Sequence, residues 1–189
     1  MKNLKKEVFS IPNMMGYFRI MLIPIFLWIY YNATSVRDYY IAGIIVCISG
    51  ITDLLDGYVA RNYNMITELG KFIDPLADKL TQLALVICLF NRFELMKYIL
   101  VLFIIKEGFM AIMGIIMLNR GKKLDGAMWF GKVCTAVLYI IMFTLIFIPK
   151  LEVDIANLLI IICGSVLLIS FILYIPVFYK MYKSTHKLR

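Results

Sequence analysis

A series of long apolar runs, separated by short charged connectors, limits this chain to a few kinds of fold. Hydrophobic residues make up 62% of the sequence and the mean hydropathy is +0.87, which is more apolar surface than a globular core could bury. Runs of about 20 apolar residues have the length of a membrane-crossing helix. The sequence therefore predicts an all-α integral membrane protein with six transmembrane helices, at about residues 17–31, 40–59, 72–90, 98–118, 130–148 and 155–178.

The connectors predict how these spans are oriented. Residues 1–13 are basic and then slightly apolar, which predicts an interfacial helix rather than a cleaved signal, because no small-residue cleavage site follows. With the N-terminus in the cytoplasm, twelve lysines and arginines lie on the cytoplasmic side and four on the outer side. We therefore expect a multi-pass protein of the cytoplasmic membrane with both termini inside. The net charge of +8 is explained by these connectors, so no nucleic-acid partner is expected. Residues 1–189 are expected to form a single membrane domain, since no second domain is apparent in the sequence.

Four aspartates interrupt the apolar pattern between the second and third spans. An ionised carboxylate in a membrane segment is costly unless it is paired, hydrated or bound to metal. Asp53 and Asp56 are three residues apart and Asp74 and Asp78 are four apart, so each pair shares one face of a helix end. Two antiparallel helix ends would bring all four together. Hard oxygen ligands suit Mg²⁺, Mn²⁺ or Ca²⁺, and two such ions are a common arrangement for displacement at phosphorus.

Two other interpretations of the aspartates remain open from the residues alone. They could form a structural network with Arg61, Lys71 and Lys79. They could also mark the ion pathway of a small cation transporter. The transporter is disfavoured because all four carboxylates are predicted near one membrane face.

The segment 53–78 also matches the pattern D-x2-D-G-x2-A-R-x8-G-x3-D-x3-D at every fixed position. It resembles the signature of the CDP-alcohol phosphotransferase family, integral membrane enzymes of phospholipid synthesis. The resemblance implies that Mg²⁺ or Mn²⁺, as two ions, is held by the aspartates, and that Asp78 binds the second ion or acts as general base. It further implies that the nucleotide lies against Gly57 and Ala60, that Gly70 allows close approach, and that Arg61 contacts phosphate or stabilises the aspartates.

Features outside the signature resemble the bacterial phosphatidylglycerophosphate and cardiolipin synthase branch of this family. Residues 11–24 look like the opening of that branch, which implies that Asn13 and Arg19 lie near the nucleotide. Three positions depart from the pattern: Gly16 stands for a threonine, Gly114 for an arginine and Cys134 for a lysine. Contacts to acceptor or phosphate are expected from Arg19, Lys106, Arg120 and Lys132, although Lys106 is also expected to pair with Glu107.

The resemblance implies a phosphatidyltransferase that moves the phosphatidyl group of CDP-diacylglycerol to an alcohol and releases CMP. Glycerol 3-phosphate is the expected acceptor, because the length and the N-terminal layout resemble the enzymes that use it. Phosphatidylglycerol is the alternative, since Gly114 and Cys134 remove basic partners for a doubly charged acceptor. A homodimer is implied by resemblance alone. An inactive membrane scaffold with the same fold is a remote alternative. The presence of Asp78 argues against it, because an inactive protein would have no need to keep the base.

Overall fold

The computed structural model describes residues 8–63, 65–121, 126 and 128–186. All regular structure in these residues is helical, which confirms the all-α class. The first seven residues of the predicted interfacial segment lie outside the described residues, and residues 11–13 belong instead to the first long helix. The six helices are α1 (Ile11–Tyr31), α2 (Val36–Asn62), α3 (Gly70–Phe90), α4 (Met96–Asn119), α5 (Trp129–Phe147) and α6 (Val153–His186).

Five of these helices are long and apolar enough to cross a membrane, namely all except α3. Four of the first ten residues of α3 are charged, which lowers its hydropathy although it is a continuous helix. Large apolar side chains cover the outside of the fold, with Leu54 73%, Trp28 68% and Ile112 60% exposed. Such a surface needs lipid around it, so the chain is a multi-pass membrane protein.

The chain divides into two compact units. The first comprises Met1–Leu89 and Phe143–Lys150, and so contains α1, α2, nearly all of α3 and the last turn of α5. The second comprises Phe90–Met142 and Leu151–Arg189, with α4, most of α5 and α6. All four signature aspartates belong to the first unit.

In the first unit, α1 packs mainly against α2. Proline in the first turn of α1 suits a helix start, because its missing N–H would have no partner there. Helix α2 begins with a capping box, in which Oδ2 of Asp38 accepts hydrogen bonds from the backbone N–H of Ser35 at 2.8 Å and from its Oγ at 2.9 Å. Farther along α2, a Cβ on Gly43 would lie 2.3 Å from the ring of Phe147, so only glycine admits that ring. The buried residues of α1 recur every three to four positions up to Arg19 and define the face turned to its neighbours: Pro12, Asn13, Gly16, Arg19, Phe26 and Tyr30.

In the second unit, α4 packs mainly against α6. Its core near the end of α4 is formed by Met117, Phe130, Tyr174 and Phe178. The Phe130 and Tyr174 rings meet edge to face with centroids 4.7 Å apart. Gly131 allows this approach, since a Cβ there would lie 2.1 Å from the Tyr174 hydroxyl oxygen.

Candidate active site

Three helices of the first unit converge on the guanidinium of Arg19, which α1 supplies. Its Nη1 donates a hydrogen bond to Oδ1 of Asp53 on α2. Its Nη2 lies 2.9 Å from Oδ2 of Asp56, also on α2, and 3.6 Å from Oδ1 of Asp74 on α3. One buried cation therefore gathers three of the four signature aspartates.

Burial divides this cluster into a closed side and an open side. The side chains of Arg19 and Asp56 are 2% and 4% exposed, whereas those of Asp53 and Asp74 are 46% and 41% exposed. Three carboxylates facing one guanidinium leave an excess of negative charge at a half-open position. A positively charged or metal-bound ligand would be attracted there.

Two carboxylate oxygens of the cluster are buried without hydrogen bonds. Asp56 Oδ2 and Asp74 Oδ1 accept none from the described residues, although Nη2 of Arg19 lies 2.9 Å from the first and 3.6 Å from the second. Leaving a charged acceptor unsatisfied costs about 1–3 kcal/mol or more. Hard, anionic oxygens without donors fit a divalent cation such as Mg²⁺. Among the described residues, however, no three such ligands converge closely enough to hold an ion as they stand.

Asp78 lies one turn beyond Asp74 on α3 and is held by a different partner. Its Oδ2 accepts a hydrogen bond of 2.9 Å from Nε2 of Gln82. The amide of Gln82 is itself fixed, because its Oε1 accepts from Nζ of Lys79 at 3.3 Å and the residue is 1% exposed. The Asp78 side chain is 28% exposed, so it is oriented yet accessible.

Asn13, expected near the nucleotide, joins the start of α1 to the start of α3. Its Nδ2 donates to Oγ1 of Thr67 at 3.0 Å, and the same Oγ1 accepts from the backbone N–H of Gly70 at 2.9 Å. Asn13 is fully buried, and a Cβ on Gly70 would lie 2.6 Å from Asn13 Oδ1. Gly70 thus permits a close approach, here to Asn13, and fixes where α3 begins relative to Asp74.

Gly16, which departs from the family pattern, lies on α1 next to Ile73 of α3. A Cβ there would lie 2.6 Å from Cγ2 of Ile73 and 3.6 Å from Oδ1 of Asp74. The methyl group of Ile73 therefore fills the space that a threonine side chain would need.

The remaining signature residues form the last turns of α2. Gly57 and Ala60 are half-buried and Arg61 is exposed. A Cβ on Gly57 would lie 3.5 Å from Nη2 of Arg61, which is an ordinary contact. Gly57 therefore lies within ordinary contact distance of the Arg61 guanidinium, and Ala60 belongs to the same end of α2.

The other predicted contact residues belong to the second unit. Lys106 is 5% exposed and pairs with Glu107 at 2.5 Å, which confirms the predicted ion pair. Arg120 ends α4 with its guanidinium 4.0 Å from the ring of Tyr182, to whose hydroxyl it donates a hydrogen bond of 3.0 Å. Lys132 is exposed in the first turn of α5. Two of the positions that depart from the family pattern also lie in this unit. Gly114 has open space beside it, whereas Cys134 is buried.

Sequence reasoning missed three residues that organise the site: Thr67, Ile73 and Gln82. Gln82 could have been found as an amide one turn after Asp78 in an otherwise apolar stretch. Thr67 stands three residues before Gly70, the spacing of a hydroxyl that caps a helix start. Ile73 gave no signal, because its importance depends on the helix packed against it.

Comparison with known proteins gives one family. The profile described as CDP-alcohol phosphatidyltransferase matches residues 9–180. A protein of Escherichia coli (strain K12) named CDP-diacylglycerol–glycerol-3-phosphate 3-phosphatidyltransferase is 28% identical over 162 residues, covering 84% of this chain and 88% of that protein. The protein of the same name from Shigella flexneri serotype 5b is 29% identical over 149 residues, covering 77% and 81%.

Proposed function

This chain belongs to the CDP-alcohol phosphatidyltransferase family, and we propose that it transfers the phosphatidyl group of CDP-diacylglycerol to glycerol 3-phosphate with release of CMP. The acceptor is proposed from the names of the Escherichia coli and Shigella relatives, which cover most of the chain. The observation that carries the proposal is the cluster of signature aspartates in the first unit, which combines excess negative charge with buried oxygens that lack donors.

Asp53, Asp56, Asp74 and Asp78 would hold Mg²⁺ or Mn²⁺, as two ions. When bound, such ions supply charge neutralisation at the phosphate groups. The orphaned oxygens of Asp56 and Asp74 support this assignment, because a cation would satisfy what the described donors do not. The half-exposed carboxylates of Asp53 and Asp74 provide the open side from which a ligand could enter.

Asp78 is proposed as the general base. Its carboxylate takes the proton of the acceptor hydroxyl, whose oxygen forms a new bond to the phosphorus that carries diacylglycerol. The bond from that phosphorus to the bridging oxygen breaks, and CMP leaves with the electron pair. Gln82 holds the carboxylate in one orientation through the 2.9 Å hydrogen bond, which prepares it for this role.

The same proposal extends to placement in the membrane. The excess of basic residues in one set of connectors supports six spans with both termini and the aspartates on the cytoplasmic side. Exposed apolar side chains on all described helices are compatible with lipid contact and with a homodimer, which we propose by analogy to the family alone.

The test is CMP release by purified protein in detergent micelles that contain CDP-diacylglycerol and Mg²⁺. We expect release with glycerol 3-phosphate, loss on chelation of the metal, and loss in Asp78→Asn. Asp154→Asn is the matched control, because it makes the same change at an exposed aspartate in the first turn of α6. Equal release by wild type and Asp78→Asn would contradict the assigned base.

Phosphatidylglycerol is a second candidate acceptor, favoured by the uncharged Gly114 and the buried Cys134 where basic residues were expected. The same assay decides between the two acceptors. Release with phosphatidylglycerol but not with glycerol 3-phosphate would make the protein a cardiolipin synthase. Inositol phosphate and serine serve as acceptors that both proposals exclude.

A further inference from the structure

Arg19 contacts three of the four signature aspartates although it lies outside the signature. It belongs to α1, whereas Asp53 and Asp56 belong to α2 and Asp74 to α3. The residue is 2% exposed, and its Nη1 and Nη2 lie beside the carboxylates and away from solvent. A guanidinium used in this way is poorly placed to take a phosphate from solution.

The contacts of Arg19 neutralise charge but use few hydrogen bonds. One nitrogen donates to Asp53. Nη2 and Nε make no hydrogen bond to the described residues, although Nη2 is 2.9 Å from one carboxylate oxygen and 3.6 Å from another. An arginine that recognises a carboxylate specifically usually forms two parallel hydrogen bonds. Here the guanidinium acts mainly as a positive charge placed among three negative ones.

We propose that Arg19 is a built-in counter-cation of the aspartate cluster. It offsets part of the negative charge of Asp53, Asp56 and Asp74 in the metal-free protein, and it weakens the binding of a divalent cation to those same carboxylates. The inference rests on the proposed metal-dependent function. Arg19 is then a positioning residue, because it keeps the carboxylates of two helices together when no metal is bound. The same positive charge lowers the affinity of the site for metal.

The physical reason is repulsion between like charges at short range. A cation held by Asp56 and Asp74 would lie within a few ångströms of Nη2, which is already close to both carboxylates. At such distances in a partly buried site, the repulsion is several times stronger than in water. Removing the charge of Arg19 should therefore raise the affinity for the metal and lower the stability of the metal-free protein.

The experiment measures Mn²⁺ binding and thermal unfolding of the purified full-length protein in detergent, without substrate. The variant is Arg19→Gln, which removes the charge but keeps a polar side chain. Its control is Arg37→Gln, the same change at an exposed arginine in the first turn of α2. Arg37 lies sixteen residues before Asp53, which is about 24 Å along a helix at 1.5 Å per residue.

We expect Arg19→Gln to bind Mn²⁺ at least about tenfold more tightly than wild type, because the repelling charge is gone. Without metal it should unfold at a lower temperature than wild type, and Mn²⁺ should raise that temperature by more than it does in wild type. Arg37→Gln should match wild type in both measurements. Equal or weaker Mn²⁺ binding by a folded Arg19→Gln would overturn the proposal.

Arg19→Lys decides the matter should Arg19→Gln fail to fold. A lysine keeps the charge and loses the planar fork, so a counter-cation role predicts an affinity within about threefold of wild type. Weakening by more than about tenfold would mean that the fork shapes the metal site, which contradicts the proposal. If wild type does not bind Mn²⁺ at all, the metal-dependent function is overturned as well. If wild type binds Mn²⁺ and Arg19→Gln binds it no more tightly, only the role of Arg19 is overturned.

Discussion

Replacing Gly16 with alanine should disturb both the stability of the protein and its aspartate cluster. The new Cβ would lie 2.6 Å from Cγ2 of Ile73, whereas carbon atoms in contact are normally about 3.5–4.0 Å apart. Helices α1 and α3 would have to separate by roughly 1 Å, because a β-branched side chain in a helix has one strongly preferred rotamer and cannot turn away. Overpacking of this kind costs about 1–3 kcal/mol.

The same displacement reaches the site, since Oδ1 of Asp74 is 3.6 Å from that Cβ. A shift of about 1 Å in a reacting group can lower turnover by about a hundredfold. Gly16→Ala should therefore lose activity as well as stability. Gly50→Ala is the control, because a Cβ at Gly50 meets nothing within 4 Å and alanine favours helix by up to about 1 kcal/mol.

A double-mutant cycle with Ile73→Ala isolates the clash. Ile73→Ala alone should cost about 2–5 kcal/mol through the cavity it leaves. In the double variant the new methyl group occupies part of that cavity, so the combined loss should fall short of the sum by about 1–2 kcal/mol. The free energy of unfolding would be measured by SDS titration in mixed micelles with circular dichroism. Additive losses, or a Gly16→Ala variant as stable and active as Gly50→Ala, would refute the reasoning.

Other side chains give simpler expectations. Thr67→Val should lower the unfolding free energy by about 1–3 kcal/mol, because the N–H of Gly70 loses its 2.9 Å acceptor. Thr67→Ser keeps a hydroxyl acceptor and should have an unfolding free energy close to that of wild type in the same SDS titration. Gln82→Leu should lower kcat for CMP release by about tenfold or more at unchanged helical content, since Asp78 loses the donor that orients it; unchanged kcat would remove Gln82 from the mechanism. Lys106→Met should destabilise the protein by about 3–5 kcal/mol because it breaks the buried ion pair with Glu107. Adding Glu107→Gln to Lys106→Met should recover part of that loss, because no unpaired charge is then left buried. Equal thermal stability of the single and double variants would show that the pair is not coupled.

The helices could be predicted from sequence because the apolar runs are long and the connectors short. α3 shows the limit of that argument: its charged first half makes it a poor transmembrane candidate by composition, yet it is helical from Gly70 onwards. Each of these charges has a polar partner: Asp74 lies near Arg19, Asp78 and Lys79 bond to Gln82, and Lys71 pairs with Glu68. Hydropathy counts the charges but does not reveal their partners.

The aspartates themselves were predictable, whereas their partner was not. Fixed spacing within α2 and α3 placed Asp53, Asp56 and Asp74 on helix ends, as local geometry requires. Arg19 is 34 residues from Asp53 in sequence, and only the packing of α1 brings them together. Gly16 was interpreted as a lost hydroxyl, but it stands opposite the buried methyl group of Ile73. The space left by Gly16 is filled by a residue of another helix, and the sequence around Gly16 alone does not reveal which residue that is.

The most direct test of the account follows the oxygen of the acceptor. Wild type and Asp78→Asn would be given CDP-diacylglycerol, Mg²⁺ and glycerol 3-phosphate labelled with oxygen-18 in its free primary hydroxyl, and the products analysed by mass spectrometry. Attack of that hydroxyl on phosphorus predicts a phosphatidylglycerol phosphate that retains the label, unlabelled CMP, and neither product from Asp78→Asn. Label in an ester of CMP with glycerol 3-phosphate, released together with phosphatidic acid, would contradict the assigned reaction. Labelled lipid formed equally well by the variant would contradict its base.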